Sequence, residues 1–236
     1  MTGPIMRAQW LDLLIASYRV DRALLEPLVP EGLELLTWKG EAYVSLVAFD
    51  FKRVRMWGLP IPGQTDFPEW NLRFYVREMN GEHRKGVVFI RELVPKRLVT
   101  LGARWLYNEP YETWPMTSSV LATHGGKQIR HSLSHRTGDM SISYNTSDQP
   151  RTPDELSEAH FFKEHSWGFG TSRAGKTRVY RVAHPVWSTR EVSDLTISIN
   201  GTALYGEPWD FVGAREPDSV VFAEGSDIEV YPGDAL

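Results

Sequence analysis

Apolar and polar residues alternate with a period of two through much of the chain, which is the signature of half-buried strands rather than helices. Between Glu41 and Met56, Val44, Leu46 and Ala48 fall on one face and Ser45 and Val47 on the other, ahead of the basic residues Lys52, Arg53 and Arg55. From Trp70 to Met79 the alternation is cleaner. Trp70, Leu72, Phe74 and Val76 share one face, and Asn71, Arg73, Tyr75 and Arg77 share the other. Asn80-Gly81 supplies a turn. The mostly apolar run GVVFIREL reads as a central strand with a polar end at Arg91 and Glu92. Further strands are predicted in QIRHSLSH, MSISYN, TRVYRVAH, LTISIN, SVVFAE and DIEVYP, several of them separated by Gly-containing turns.

Three helical segments interrupt this pattern. Asp21 is suited to cap a short helix ending at Leu28, before Pro30 and Gly32. In PKRLVTLGARWLYNEPY, Leu98, Leu101, Gly102, Trp105 and Leu106 recur at helical spacing, with Pro95 in the first turn and Pro110 at the exit. In TPDELSEAHFFKEHSW, Thr152 and Glu155 form a capping box around Pro153, and Leu156, Ala159 and Phe162 or Lys163 continue the turn. Many strands, few helices and no βαβ alternation predict a mainly β fold, an antiparallel barrel or double sheet, as a single domain over residues 1–236.

Composition narrows the function. Apolar residues make up 42% of the 236, with 9 Trp, 10 Phe and 9 Tyr, enough for a large core. A formal net charge of −4 without a concentrated basic face gives no reason to expect nucleic acid or an anionic membrane as partner. Cysteine is absent, which removes disulfides, thiolate metal sites and cysteine nucleophiles and fits a reducing compartment. The N-terminus lacks a basic leader followed by an apolar run, and no stretch approaches the ~18 apolar residues of a membrane span. A cytoplasmic location is the expectation.

The first candidate for chemistry is Lys96, where an apolar strand hands over to a helix. If Pro95 is the first helical residue, the helix dipole and the neighbouring cation Arg97 both disfavour a charged amine, and a neutral amine is what Schiff-base chemistry requires. The plain alternative is an exposed Lys-Arg pair opening a surface helix. The second candidate is Glu69. Alternation puts it on one face with Asn71, Arg73 and Tyr75, an arrangement that orients a carbonyl or carboxylate ligand if it faces inward and is merely solvated if it faces out. Arg91 and Glu92 are open to the same two readings. His131 and His135 share a strand face but stand ~13 Å apart at ~3.3 Å per residue, too far to share one metal ion. His165 and His184, beside Trp and Gly or Pro, read as packing residues. The chain has no G-x-S-x-G, G-x-G-x-x-G or Walker motif.

The stretches LLEPLVPEGLELLTWKGEAYVSLVAFDFKRVR, DFPEWNLRFYVR, GVVFIRELVPKRLVTLGARWLYNEPY, HFFKEHSWGF, VYRVAHPVW and FAEGSDIEVYPG together resemble the YqjF-like family within the acetoacetate decarboxylase-like superfamily. The resemblance implies a cone-like barrel or double sheet around a central cavity, homo-oligomers, and no metal or organic cofactor. It also implies that Lys96 takes the role of nucleophile, Arg97 that of activating cation and Glu69 that of pocket carboxylate. Two functions follow as expectations. One is a Schiff-base lyase, decarboxylase or aldolase for a small keto acid, with Lys96 attacking the carbonyl. The other is a non-enzymatic domain holding a small-molecule ligand on Arg73, Tyr75, Arg91 and Glu92.

Overall fold

The computed structural model describes residues 3–106 and 108–236. In chain order the elements are β1 (Met6–Val20), α1 (Arg22–Leu25), β2 (Leu33–Leu35), β3 (Ala42–Met56), β4 (Leu59–Pro60), β5 (Phe67–Glu78), β6 (Lys85–Val94) and α2 (Arg97–Leu106). Next come β7 (Tyr111–Thr113), β8 (Met116–Thr123), β9 (Gly126–His135), β10 (Gly138–Ser147), α3 (Glu158–Lys163), β11 (Trp167–Thr171) and β12 (Thr177–Ala183). The last are β13 (Thr189–Arg190), β14 (Val192–Ser198), α4 (Gly201–Tyr205), β15 (Ser219–Val230) and β16 (Asp234–Ala235).

The larger sheet follows the order β13-β15-β1-β3-β5-β6-β11-β12-β16, and its path returns on itself because β12 also pairs with β15 at Val182–Val230 and Ala183–Glu229. The smaller sheet, β14-β10-β9-β8, covers the outside of this ring. Two apolar clusters follow from the alternation. Trp70, Leu72, Phe74 and Val76 of β5 pack with Ile129, Leu133, Ile142 and Tyr144 of the small sheet. Val47, Phe49, Phe51, Val87 and Val182 instead face the interior of the ring. The fold is therefore mainly β, a double sheet, as the period-two pattern predicts, and the ring encloses a cavity of the kind the family resemblance implies. Among the described residues no helix is long and apolar enough to cross a membrane.

Several sequence expectations need correction. Strand β1 was not legible, because WLDLLIASY is almost continuously apolar and its alternation breaks at Asp12, which has φ +56 and lies in a register shift between Leu11 and Leu14. SVVFAE and DIEVYP are one strand, not two. Gly225, at φ +80, lies inside it in unbroken register opposite Leu11 of β1 instead of in a turn, and a Cβ at that position would lie 1.8 Å from the Trp10 carbonyl oxygen. The capping box at Thr152 does not form. Asp154 Oδ1 accepts from the Leu156 amide in a local turn, and α3 begins six residues later with Ser157 accepting from the His160 amide. Asp21 does cap α1, accepting from the Ala23 amide.

Candidate functional site

The polar face of β5 points into the ring. Glu69, Asn71, Arg73 and Tyr75 are all buried, because their strand lies between β3 and β6 and its opposite face is committed to the small-sheet core. Their neighbours on β6 are selected by a bulge. Leu72 pairs with Arg91 but Arg73 pairs with Phe89, so Ile90 is unpaired and the inward set becomes Val87, Phe89 and Glu92. Arg91 is thereby turned to the other face. Its Nη1 donates to the Leu204 carbonyl at 2.6 Å and its Nε lies 3.4 Å from Glu112 Oε1, so the expectation that Arg91 shares a site with Glu92 fails.

The enclosed space is a cavity of about 310 Å³. Its walls are Leu13, Val47, Phe49, Phe51, Val54 and their neighbours, with one polar stretch. Helix α3 lies toward the Tyr75 end of β5, where the Phe162 carbonyl accepts from Arg73 Nη2 at 3.1 Å and from the Tyr75 hydroxyl at 3.5 Å. Tyr75 is also tied to Ser45 at 2.6 Å and does not line the cavity. At the other end of β5, α2 and the loop 57–64 flank the opening, since β3 and β6 both deliver the chain to the end where Phe67 and Trp70 lie.

The polar stretch gathers carboxyls from three segments. Asn71 Nδ2 donates to Glu69 Oε1 at 3.0 Å, and the Tyr111 hydroxyl donates to Glu69 Oε2 at 3.1 Å. Tyr111 is placed there because β7 runs parallel to β6, setting Tyr111 opposite Glu92. Glu109, two residues earlier, is also buried and hydrogen-bonds Tyr180 of β12. Burial drives all three carboxyls toward the neutral form. Glu69 is pushed up to about 7 by desolvation, against the pull of its bonds from Asn71 and Tyr111 and the nearby Arg73 guanidinium. Desolvation, with the Glu69 charge adding to it, raises Glu109 to about 8. Glu92 is raised well above the usual carboxylate range by burial and by the Glu109 and Glu69 charges.

His165 completes the wall from the α3 side. Its Nε2 lies 2.7 Å from the Phe161 carbonyl, which can only accept, so Nε2 carries the proton and Nδ1 is a bare acceptor. Burial and the Arg73 charge depress its pKa to about 3, so the ring is neutral at physiological pH. Among the described residues, six buried polar atoms of the cavity lining have no hydrogen-bond partner: Trp10 Nε1, Gln64 Oε1, Asn71 Oδ1, Arg73 Nε, Glu92 Oε2 and His165 Nδ1. Among the described residues no group of three or more His, Asp and Glu side chains is placed to hold a metal ion.

Lys96 and Arg97 stand apart from this wall. Lys96 is half-buried where α2 begins, its carbonyl accepting from the Thr100 amide at 3.1 Å, and Arg97 is exposed. The α2 residues that line the cavity are Leu98, Val99, Gly102, Ala103 and Trp105. The structure thus brings together Glu69, Arg73 and Glu92 from the sequence candidates. It adds Asn71, Glu109, Tyr111 and His165. Of these, Asn71 was legible from alternation, whereas Glu109 and Tyr111 depend on the parallel β6–β7 pairing, which has no local signal.

This ring and its enclosed cavity are the acetoacetate decarboxylase-like fold. Acetoacetate decarboxylase from Legionella pneumophila superposes on 100% of the chain and 88% of its own, with a TM-score of 0.67 at 16% identity. An acetoacetate decarboxylase-like enzyme from Sphingomonas wittichii RW1 gives a TM-score of 0.66 at 14% identity, over 100% of this chain and 94% of that one. The enduracididine biosynthesis enzyme MppR, in complex with pyruvate, gives 0.63 at 17% identity, over 100% and 91%. Within that fold the chain belongs to the DUF2071 family, described as an uncharacterized conserved protein (COG2071), which matches residues 7–227. The uncharacterized protein YqjF of Bacillus subtilis (strain 168) is 36% identical over 147 residues, 62% of this chain and 57% of the relative, so the match spans little more than half of that protein.

Proposed function

We propose that the protein binds a small organic molecule with a carbonyl or carboxyl head inside the ring, non-covalently, at a site equipped for proton transfer. The observation that carries this reading is the set of six unpartnered polar atoms on the wall of an otherwise apolar cavity. Each buried polar group left unsatisfied costs about 1–3 kcal/mol, so the wall gains from a ligand head that supplies both donors and acceptors. Arg73 Nε donates, His165 Nδ1 accepts, and a neutral Glu92 can do either. Glu69, with a pKa of about 7, can give or take a proton at neutral pH.

The imine chemistry that the family resemblance implies for Lys96 needs an amine at the bound carbonyl. Among the described residues no lysine lines the cavity, which favours the non-covalent reading. Pyruvate separates the two. Ligand-observed NMR at pH 6.5 is expected to detect pyruvate or hexanoate binding to the wild-type protein, and borohydride added with pyruvate is expected to leave the protein mass unchanged. A reduced adduct mapped to Lys96 would replace this reading with the Schiff-base one. Failure of both compounds to bind would count against either.

A further inference from the structure

The opening of the cavity is apolar as well as its walls. Trp57, Ile61, Leu98 and Trp105 all line the cavity, yet they are 64%, 39%, 58% and 73% exposed. A single exposed apolar side chain is unremarkable, but four large ones around one opening, two of them tryptophan, form a patch that water covers poorly. Leu59 and Leu101 extend it on the same loop and helix, at 71% and 64% exposed. The charged side chains of the lining, Glu69, Arg73, Glu92 and Glu109, are all buried, so none belongs to this rim. A short polar acid would fill the buried polar stretch and leave the apolar route to solvent hydrated.

From this continuity we propose that the ligand is an amphiphile, an aliphatic monocarboxylic acid or its 2-oxo analogue. Its head meets Arg73, Asn71, Glu92 and His165. Its chain lies along Phe49, Phe51 and Val54 and emerges between α2 and the loop 57–64. The inference rests on the binding site described above and adds to it the chain and its exit. The head is limited to a single negative charge, because among the described residues one arginine, Arg73, lines the cavity together with three carboxyls. The rim then serves to shield the emerging chain, with Trp57 and Trp105 as its two largest surfaces.

Butanoate, hexanoate, octanoate and decanoate, titrated calorimetrically at pH 6, test the chain and the head separately. Each added methylene that leaves water is expected to tighten binding about fourfold. Hexanoate to decanoate should therefore gain about two orders of magnitude. The Trp57→Ser, Trp105→Ser double variant should lose decanoate affinity by tenfold or more and flatten the series at its long end. Circular dichroism confirms that the variant is folded. Equal binding of all four acids would overturn the amphiphile while leaving the binding site standing. A steep series that the double variant does not flatten would overturn the exit route. If no acid binds the wild-type protein, the amphiphile and the site both fall.

Discussion

Replacing Arg73 with methionine is expected to weaken hexanoate binding by at least about 30-fold, since removing one partner of a buried, hydrogen-bonded charge pair costs about 2–5 kcal/mol. Among the described residues Arg73 is the one arginine that lines the cavity, whose wall also carries Glu69, Glu92 and Glu109. Its Nη2 is held by the Phe162 carbonyl, and its centre lies 5.9 Å from the Tyr75 ring. The side chain is therefore fixed, with Nε left for a ligand. Methionine keeps the volume and removes the charge. Glu69 loses the cation that opposes its burial, so its pKa moves further up, and His165 loses a charge that holds its own pKa down. Lysine at the same position should recover only part of the affinity, because an ammonium does not reproduce the planar fork. Titration calorimetry on the three proteins measures this, and an unchanged Kd in the methionine variant would show that the head binds elsewhere.

Trp70→Ala carries the largest expected effect on stability, a loss of about 3–5 kcal/mol. Trp70 alternates with Glu69 and Asn71 and so points away from the cavity into the core between the two sheets, where it is fully buried with Leu72, Phe74 and the small-sheet residues. Its Nε1 has no hydrogen-bond partner, so the loss comes from apolar area and the void left behind. For a chain of this size each kcal/mol lowers Tm by about 2–4 °C, giving a fall of roughly 6–20 °C. Scanning calorimetry reads it directly. A shift of less than about 2 °C would mean that the two sheets do not share this core.

These two residues, on opposite faces of β5, also mark what the sequence could reveal. Alternation along Trp70–Val76 separates the core face from the polar face without any knowledge of the fold, and the polar face became the site because β5 is central. Arg91 and Glu92 could not be separated in the same way. Both are polar and adjacent, and the bulge at Ile90 that sends one inward and the other outward is a property of the pairing with β5. His165 looked like a packing histidine, and its Nε2 does bond to the Phe161 carbonyl, but its other nitrogen is left bare on the cavity wall. Glu109 and Tyr111 reach the site through a parallel pairing across a helix, a long-range contact that leaves no periodic trace. The apolar residues of α2 gave a sound helix, but helical spacing does not say that Leu98, Leu101 and Trp105 remain exposed at an opening.

The account depends on a water-excluded wall that keeps its carboxyls neutral beside Arg73. The most direct test follows the side-chain carboxyl carbons of Glu69 and Glu109 by ¹³C NMR from pH 4 to 9, assigned with the Glu→Gln variants. The account predicts midpoints of about 7 for Glu69 and about 8 for Glu109. Midpoints near 4.5 for both, the ordinary value of a hydrated glutamate, would contradict it.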